Sequence, residues 1–258
     1  MEDVQGSRDH RHLAIDRVGI QGLRLPISIQ LGPHTQPTVA TCSLSVHLPE
    51  ERKGTHMSRM AALLHEQRQL SLASLPDLLR ITCERLDSTQ AEINLRFAYF
   101  IEKTAPVSGA VSLMDYDVQL KGVIDPTGIH TWLTVVVPVT SLCPCSKQIS
   151  AYGAHNQRSH ITLTVEPAAA IDVGQLIALA EAEASAELYA ILKRPDEKAM
   201  TERAYDNPKF VEDLTRDVAK RLDAMADIIA FTVTVENFES IHNHSAIASL
   251  SHRRRPMP

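Results

Sequence analysis

The feature that most narrows what this chain can fold into is a repeated order of elements, marked by a short motif that occurs twice. Gly54-Thr55-His56-Met57-Ser58-Arg59 and Gly153-Ala154-His155-Asn156-Gln157-Arg158 both read G-x-H-x-x-R. Around the first copy, Cys42, Leu44, Val46 and Leu48 alternate with polar or small residues, as do Ile93, Leu95, Phe97 and Tyr99. Both runs predict half-buried strands, with companion strands over 18–30 and 114–124. Two helices are expected between them, over 57–69 and 75–87, the second with Ser74 as cap and Pro76 in its first turn. Around the second copy the reading is strands over 131–140 and 159–165, then a helix over 174–192. A further helix opens at Asn207-Pro208, where Val211, Leu214, Val218, Leu222 and Met225 supply an apolar stripe. Strands over 229–235 and 244–250 close the chain. Each half reads ββααββ, so tandem duplication is the economical interpretation. The expected organisation is an arm over 1–17, a first unit over 18–127 and a second over 128–258 that carries most of the site residues. The arm is expected to be mobile or to order against a neighbouring subunit.

A chain of 258 residues, 44% of them hydrophobic, can bury a sizeable core. Its apolar runs, such as 133–139, fall far below the roughly 18 residues needed to cross a bilayer, and the polar start reads as no secretory signal. The cysteines, Cys42, Cys83, Cys143 and Cys145, are too few and too unevenly placed for a disulfide framework. A reducing cytoplasm suits them. Cys42 and Cys83 fall on apolar faces and read as buried small hydrophobes. The formal net charge of −5 argues against a nucleic-acid or anionic-membrane binder. The HRRRPMP ending has no aromatic or further basic residue to reinforce it and reads as a solvated end.

Chemistry is concentrated in the connection between the strands ending near Thr140 and beginning near Ser159. It is roughly 18 residues long, against the 2–5 usual for a hairpin, and holds Cys143, Cys145, Lys147, His155, Arg158 and His160. Soft and borderline metal ligands therefore meet where backbone is free to fold around an ion. The spacing C-P-C differs from the C-x-x-C of structural zinc sites, and no second cysteine pair exists to complete one. Pro144 biases Cys143 toward an extended conformation. Gly153 permits a turn that could return His155 to the cysteines. Physics alone does not rank Cys143 against Cys145, and a further ligand could come from Glu197, His242 or His244. Glu212 lies in the first turn of its helix, where the dipole alone favours a carboxylate; the same plain reading applies to Glu236 and Glu239.

The segments SLCPCSK, YGAHNQRSH, LKRPDEK, NPKFVED and ENFESIHNHSA, in this order and spacing, resemble the motifs of GTP cyclohydrolase I, type IB, over about residues 3–248. The resemblance implies an α+β fold of tandem ββααββ tunnelling-fold units, antiparallel sheets with helices on one face, assembling into barrels. It implies metal-dependent hydrolysis of GTP to 7,8-dihydroneopterin triphosphate and formate, the first step of folate biosynthesis. One divalent metal per active site, Mn, Zn or Fe, is implied, with Cys143, His155 and Glu197 as ligands, so Cys143 is preferred to Cys145. His242, His244 and Glu239 match the groups beside the reacting ring, where Cys143 also acts. Glu212 matches the guanine anchor, reversing its plain reading, since a carboxylate can accept from N1–H and the 2-amino group. Lys147, Arg158, Arg194 and Lys198 are the candidates for the triphosphate. The family's habit implies a cytoplasmic homotetramer with interfacial active sites. Two alternatives stand beside this reading: an NADPH-dependent 7-cyano-7-deazaguanine reductase, and a non-catalytic metal-binding module.

Overall fold

The structure is a computed structural model that describes residues 5–254. In chain order its elements are β1 (Ile15–Gln30), β2 (Thr35–Leu48), α1 (Met57–Glu66), β3 (Gln69–Ser71), α2 (Leu75–Leu86), β4 (Ala91–Thr104), β5 (Val111–Asp125) and β6 (Gly128–Leu142). There follow α3 (Pro144–Ile149), β7 (Asn156–Pro167), α4 (Val173–Glu183), β8 (Ala186–Glu187), α5 (Arg194–Asp206), α6 (Val211–Asp223), β9 (Ile228–Asn237) and β10 (Ala246–Arg253). None of the described helices is long and apolar enough to cross a membrane.

The expected tandem of ββααββ tunnelling-fold units, each with its own sheet and assembling into barrels, is corrected here. The described strands form one ten-stranded, mostly antiparallel sheet in the order β10-β9-β7-β6-β5-β4-β2-β1-β3, with β8 pairing aside with β6. The β1/β3 pair is parallel. The reason lies in β4, β5 and β6, which are 14, 15 and 15 residues long, far beyond the roughly 5–6 typical of a strand. Their alternation of buried and open positions persists along most of that length, so no break separates a first sheet from a second. The repeated motif also meets different fates. His56 occupies the N-cap position of α1 without a side-chain capping bond, whereas the second copy runs straight into β7.

Contacts divide the chain into two units, one of residues up to Ala98 with Gln119–Leu133, the other of Tyr99–Val118 with Thr134 onward. In the first, Leu25, Ile27 and Ile29 of β1, Leu44 and Val46 of β2 and Ile93 and Leu95 of β4 are buried, as are Met60 and Leu63 of α1 and Leu75 and Leu79 of α2. Residues 5–9 are tied to their own chain: Asp9 N–H donates to the Glu51 carbonyl at 2.9 Å and Lys53 N–H to that of Ser7 at 3.1 Å. Residues 1–4 of the expected arm lie outside the described residues. So do residues 255–258 of the HRRRPMP tail, while His252 and Arg253 end β10.

In the second unit, Val135, Val137 and Val139 of β6, Ile161, Leu163 and Val165 of β7 and Phe231, Val233 and Val235 of β9 make the sheet side of the core. Leu176 of α4 and Leu214, Val218 and Leu222 of α6 cover it. The β7/β9 register sets Ser159 opposite Asn237, Ile161 opposite Val235 and Leu163 opposite Val233. The ends of β6, β9 and the start of β7 thus come together.

Candidate active site

At that end of the second unit the long connection between β6 and β7 begins and ends on a backbone pair, with Cys143 N–H donating to the His155 carbonyl at 3.1 Å. The connection is not plain loop. Pro144 opens α3, whose missing N–H suits the first helical position, and Cys143 is its N-cap, Sγ accepting from the Ser146 amide at 3.4 Å. Ser146 also binds both ends of the connection: its hydroxyl donates to the Cys143 carbonyl at 3.1 Å and accepts from the His155 amide at 3.2 Å. Gly153 adopts φ +119, a backbone region open to glycine, and lets the chain return to His155. Cys143 is half-buried, whereas Cys145 is exposed.

The connection after β9 brings the other expected groups to the same place. Ser240 Oγ lies 3.3 Å from His155 Nδ1, and the His155 and His242 ring centroids are 6.4 Å apart, edge to face. His242 lies 5.2 Å from His244 by centroids, and its Nδ1 is 3.5 Å from a Glu239 carboxylate oxygen. Glu239 is largely shielded, its side chain 13% exposed, while His242 and His244 are open to solvent. Cys143, His155, Glu239, His242 and His244 are therefore one cluster.

Glu197 stands exposed in the first turn of α5 and Glu212 exposed in the first turn of α6. Among the described residues no three His, Cys, Asp or Glu side chains are gathered closely enough to hold a metal ion. The donor chemistry of Cys143 and His155, which are joined through their backbones, nevertheless fits a divalent ion: a thiol sulfur, and an imidazole whose Nδ1 is engaged by Gln157 Oε1 at 3.0 Å, leaving Nε2 as the second donor.

Beside the cluster, Tyr152, Gly153 and Asn156 face Thr201 and Tyr205 of α5 across a cavity of about 560 Å³. The Lys147 ammonium lies over the Tyr205 ring, 4.2 Å from its centroid, and donates to the Tyr205 carbonyl. Arg194, Lys198, Thr201 and Tyr205 follow one another at helical spacing along α5. Lys198 pairs with Glu202 at 2.9 Å. Arg158 is exposed, near the start of β7, and its carbonyl accepts from Phe238 N–H at 3.0 Å.

The start of α5 is itself anchored by a buried carboxylate. Asp196 Oδ1 accepts from the amides of Val107 and Ser108 at 2.9 and 2.8 Å, and Oδ2 from the Ser108 hydroxyl at 2.5 Å and the Lys193 amide at 2.9 Å. Burial acts to raise this carboxyl, yet these bonds, led by those from Ser108, outweigh it and hold the group well below the ordinary carboxylate range.

Gln157, Ser141, Ser159, Asn237 and Ser240 escaped the sequence reading. A signal was present: on β6, β7 and β9 the apolar inward face turns polar at the end nearest the cysteine, at Ser141, at Gln157 and Ser159, and at Asn237.

Comparison with known proteins places the chain in company. The family model described as "Type I GTP cyclohydrolase folE2" matches residues 1–248. The chain is 56% identical over 259 aligned positions to GTP cyclohydrolase FolE2 of Cupriavidus pinatubonensis, covering 100% of this chain and 96% of that protein. It is 54% identical to GTP cyclohydrolase FolE2 of Cupriavidus necator, covering 99% and 96%. Among solved structures it resembles uricase from Arthrobacter globiformis, with a TM-score of 0.55 at 9% identity over 94% of each chain. At that identity the likeness speaks to the fold alone, and it agrees with the single mostly antiparallel sheet.

Proposed function

The chain belongs to the type I GTP cyclohydrolase FolE2 family, and from that membership we infer that the cluster around Cys143 is where it does the family's work. The enzyme hydrolyses GTP to 7,8-dihydroneopterin triphosphate and formate, the first step of folate biosynthesis. The nitrile reductase and the non-catalytic module both give way to that membership. Type IB is the subdivision we assign.

The observation that carries the site is the convergence of Cys143, His155, Glu239, His242 and His244 at one end of the second unit. Opening the guanine five-membered ring requires water to add at C8, and protons to reach the ring nitrogens as the C8–N bonds break. We assign the proton deliveries to His242 and His244, since an imidazole gains and releases protons near neutral pH. Glu239, 3.5 Å from His242 Nδ1, would orient that ring and compensate its charge. One divalent ion per site, Mn, Zn or Fe, would have Cys143 and His155 among its ligands and Glu197 as the third; when bound, such an ion supplies hydroxide at neutral pH.

Glu212 is proposed to read the guanine edge by accepting from N1–H and the 2-amino group. Lys147, Arg158, Arg194 and Lys198 are proposed for the triphosphate; for Lys147 the support is its packing on Tyr205, which lines the cavity between the 151–156 turn and α5. We propose a homotetramer with interfacial sites, which the exposure of Glu197, Glu212, His242 and His244 supports. GTP is the partner required, and neither nucleic acid nor membrane enters the reading.

The test is direct. Purified protein supplied with Mn²⁺ or Zn²⁺ is expected to convert GTP to a product that fluoresces as a pterin after oxidation. Cys143→Ala and His155→Ala are expected to abolish this with the fold intact by circular dichroism. Retained activity in both variants would remove the site assignment.

A further inference from the structure

Under the Cys143–His155 corner lies a file of four uncharged polar side chains that the reaction above does not use. Ser141 and Ser159 are fully buried, and Gln157 and Asn237 are 7% and 3% exposed. Burying such groups is unfavourable unless each finds a hydrogen-bond partner. Here they find one another, across three strands: His155 Nδ1 to Gln157 Oε1 at 3.0 Å, Gln157 Nε2 to Ser141 Oγ at 2.9 Å, Ser141 Oγ to Ser159 Oγ at 2.7 Å, and Ser159 Oγ to Asn237 Oδ1 at 2.8 Å.

Such a file has a direction, because a hydroxyl has a single proton to donate and an amide oxygen has none. Ser159 gives its proton to Asn237 Oδ1, so it accepts from Ser141. Ser141 gives its proton to Ser159, so it accepts from Gln157 Nε2. That turns Gln157 Oε1 toward His155, where it can only accept, and Nδ1 must carry the hydrogen. Ser240 Oγ, 3.3 Å from the same nitrogen, can serve as a second acceptor.

We propose that Gln157, oriented by Ser141, Ser159 and Asn237, is a positioning residue that holds His155 as its Nδ1–H tautomer and so reserves the Nε2 lone pair for a divalent ion. The proposal rests on the reading of His155 as a metal ligand. It assigns a purpose to polar residues where the rest of each strand's inward face is apolar. It also places the control of the ligand on three strands rather than on the connection that bears it.

The experiment uses the full chain without metal, labelled with ¹⁵N-histidine, in long-range ¹H–¹⁵N correlation spectra under mildly alkaline conditions. His155 is identified by the signals lost in His155→Gln. The wild type is expected to show Nδ1–H. Gln157→Met and Ser141→Ala, the second a minimal truncation, are expected to shift the ring toward Nε2–H. Gln157→Glu, whose carboxylate can only accept, is expected to restore Nδ1–H with the file reversed, Asn237 Nδ2 donating to Ser159, Ser159 to Ser141 and Ser141 to the carboxylate. In parallel, Zn²⁺ and Mn²⁺ affinity measured against a chromophoric chelator is expected to fall about 10- to 100-fold in Gln157→Met and to recover in Gln157→Glu. An Nε2–H wild-type ring, or Nδ1–H retained in both Gln157→Met and Ser141→Ala, overturns the proposal. Unchanged metal affinity in Cys143→Ala and His155→Ala would instead overturn the metal reading, with the tautomer result judged separately.

Discussion

Lys103 shows how much one buried charge can depend on its neighbours. Its side chain is 9% exposed, and Nζ lies 2.8 Å from Glu181 Oε1, 3.3 Å from Glu187 Oε2 and 4.5 Å from the Tyr189 ring centroid. Tyr116 donates to the same Glu181 oxygen at 2.8 Å, and burial followed by the charge of Glu181 pushes its hydroxyl well above the ordinary tyrosine range. Arg203 completes the group at Glu187 Oε1, 2.9 Å away. Removing one member of a buried pair leaves the other charged and unpaired, which costs about 3–5 kcal/mol, whereas replacing both by apolar groups is often nearly neutral. Lys103→Met is therefore expected to lower the urea midpoint strongly, and Lys103→Met/Glu181→Leu to recover much of it. Equal losses in the two proteins would refute the network's role. Burial acts to raise Glu187, but the Tyr189 hydroxyl, Lys103 and Arg203 together lower it. A carboxylate depressed in the folded state contributes stability above its unfolded value, roughly 4.3, and that contribution fades as pH falls through the lower folded value. Glu187→Gln is therefore expected to have a lower urea midpoint than the wild type at neutral pH, with the gap closing as the pH falls into the acid range; a gap that does not change with pH would refute this contribution.

At the scale of elements, the start of α5 depends on Asp196, whose carboxylate ties it to the β4–β5 turn through Val107 and Ser108. Asp196→Ala is expected to speed hydrogen exchange at these two amides and in the first turn of α5, while the β7 and β9 core stays protected; unchanged exchange at Val107 and Ser108 would reject the tie. The depressed carboxyl gives the sign of the pH effect: the anchor is complete above the ordinary aspartate range and weakens only in strong acid. Packing of α2 supplies a second test. A Cβ on Gly122 would sit 3.0 Å from Leu79 Cδ1 and 3.2 Å from Ile93 Cγ2, and both side chains are fully buried with little room to give way, so Gly122→Ala is expected to destabilise by about 1–3 kcal/mol, read from the urea midpoint. Elements with a broad apolar stripe or strict alternation, α1, α2, α6, β2 and β4, were legible. The polar helix α5 was not, because it buries only Asp196, Met200 and Ala204, although Pro195 and two acids in its first turn were signals. The helix expected over 174–192 ends at Glu183, since Ala186 and Glu187 pair with β6 and Ser185 Oγ accepts from Leu142 N–H at 3.1 Å. Tertiary bonds there override a run of good helix formers.

For the whole molecule, the uneven legibility has one physical source: alternation reports which side of a strand is buried, but not how many strands share a sheet. That is why two matched halves suggested two sheets where one is found. The site divided in the same way. Cys143 and His155 stood out through residue type and an over-long connection, whereas the file from Gln157 to Asn237 is made of residues that become meaningful only once three strands meet. Every member of the Cys143 cluster, and every member of that file, belongs to the unit containing Thr134 onward. A ligand that binds only the folded protein stabilises it by RT ln(1 + [L]/Kd), about 2.7 kcal/mol at a hundredfold excess over Kd. That energy enters whichever cooperative transition includes the binding residues, so a metal at Cys143 and His155 must raise the transition in which β6, β7 and β9 unfold. Calorimetry with Zn²⁺ or Mn²⁺ is expected to raise that transition by several degrees, to lose the rise in Cys143→Ala and His155→Ala, and to leave any transition confined to the other unit where it was. A rise of equal size in both variants would show the ion acting elsewhere. A rise confined to the other unit would move the search for the metal away from the cluster altogether.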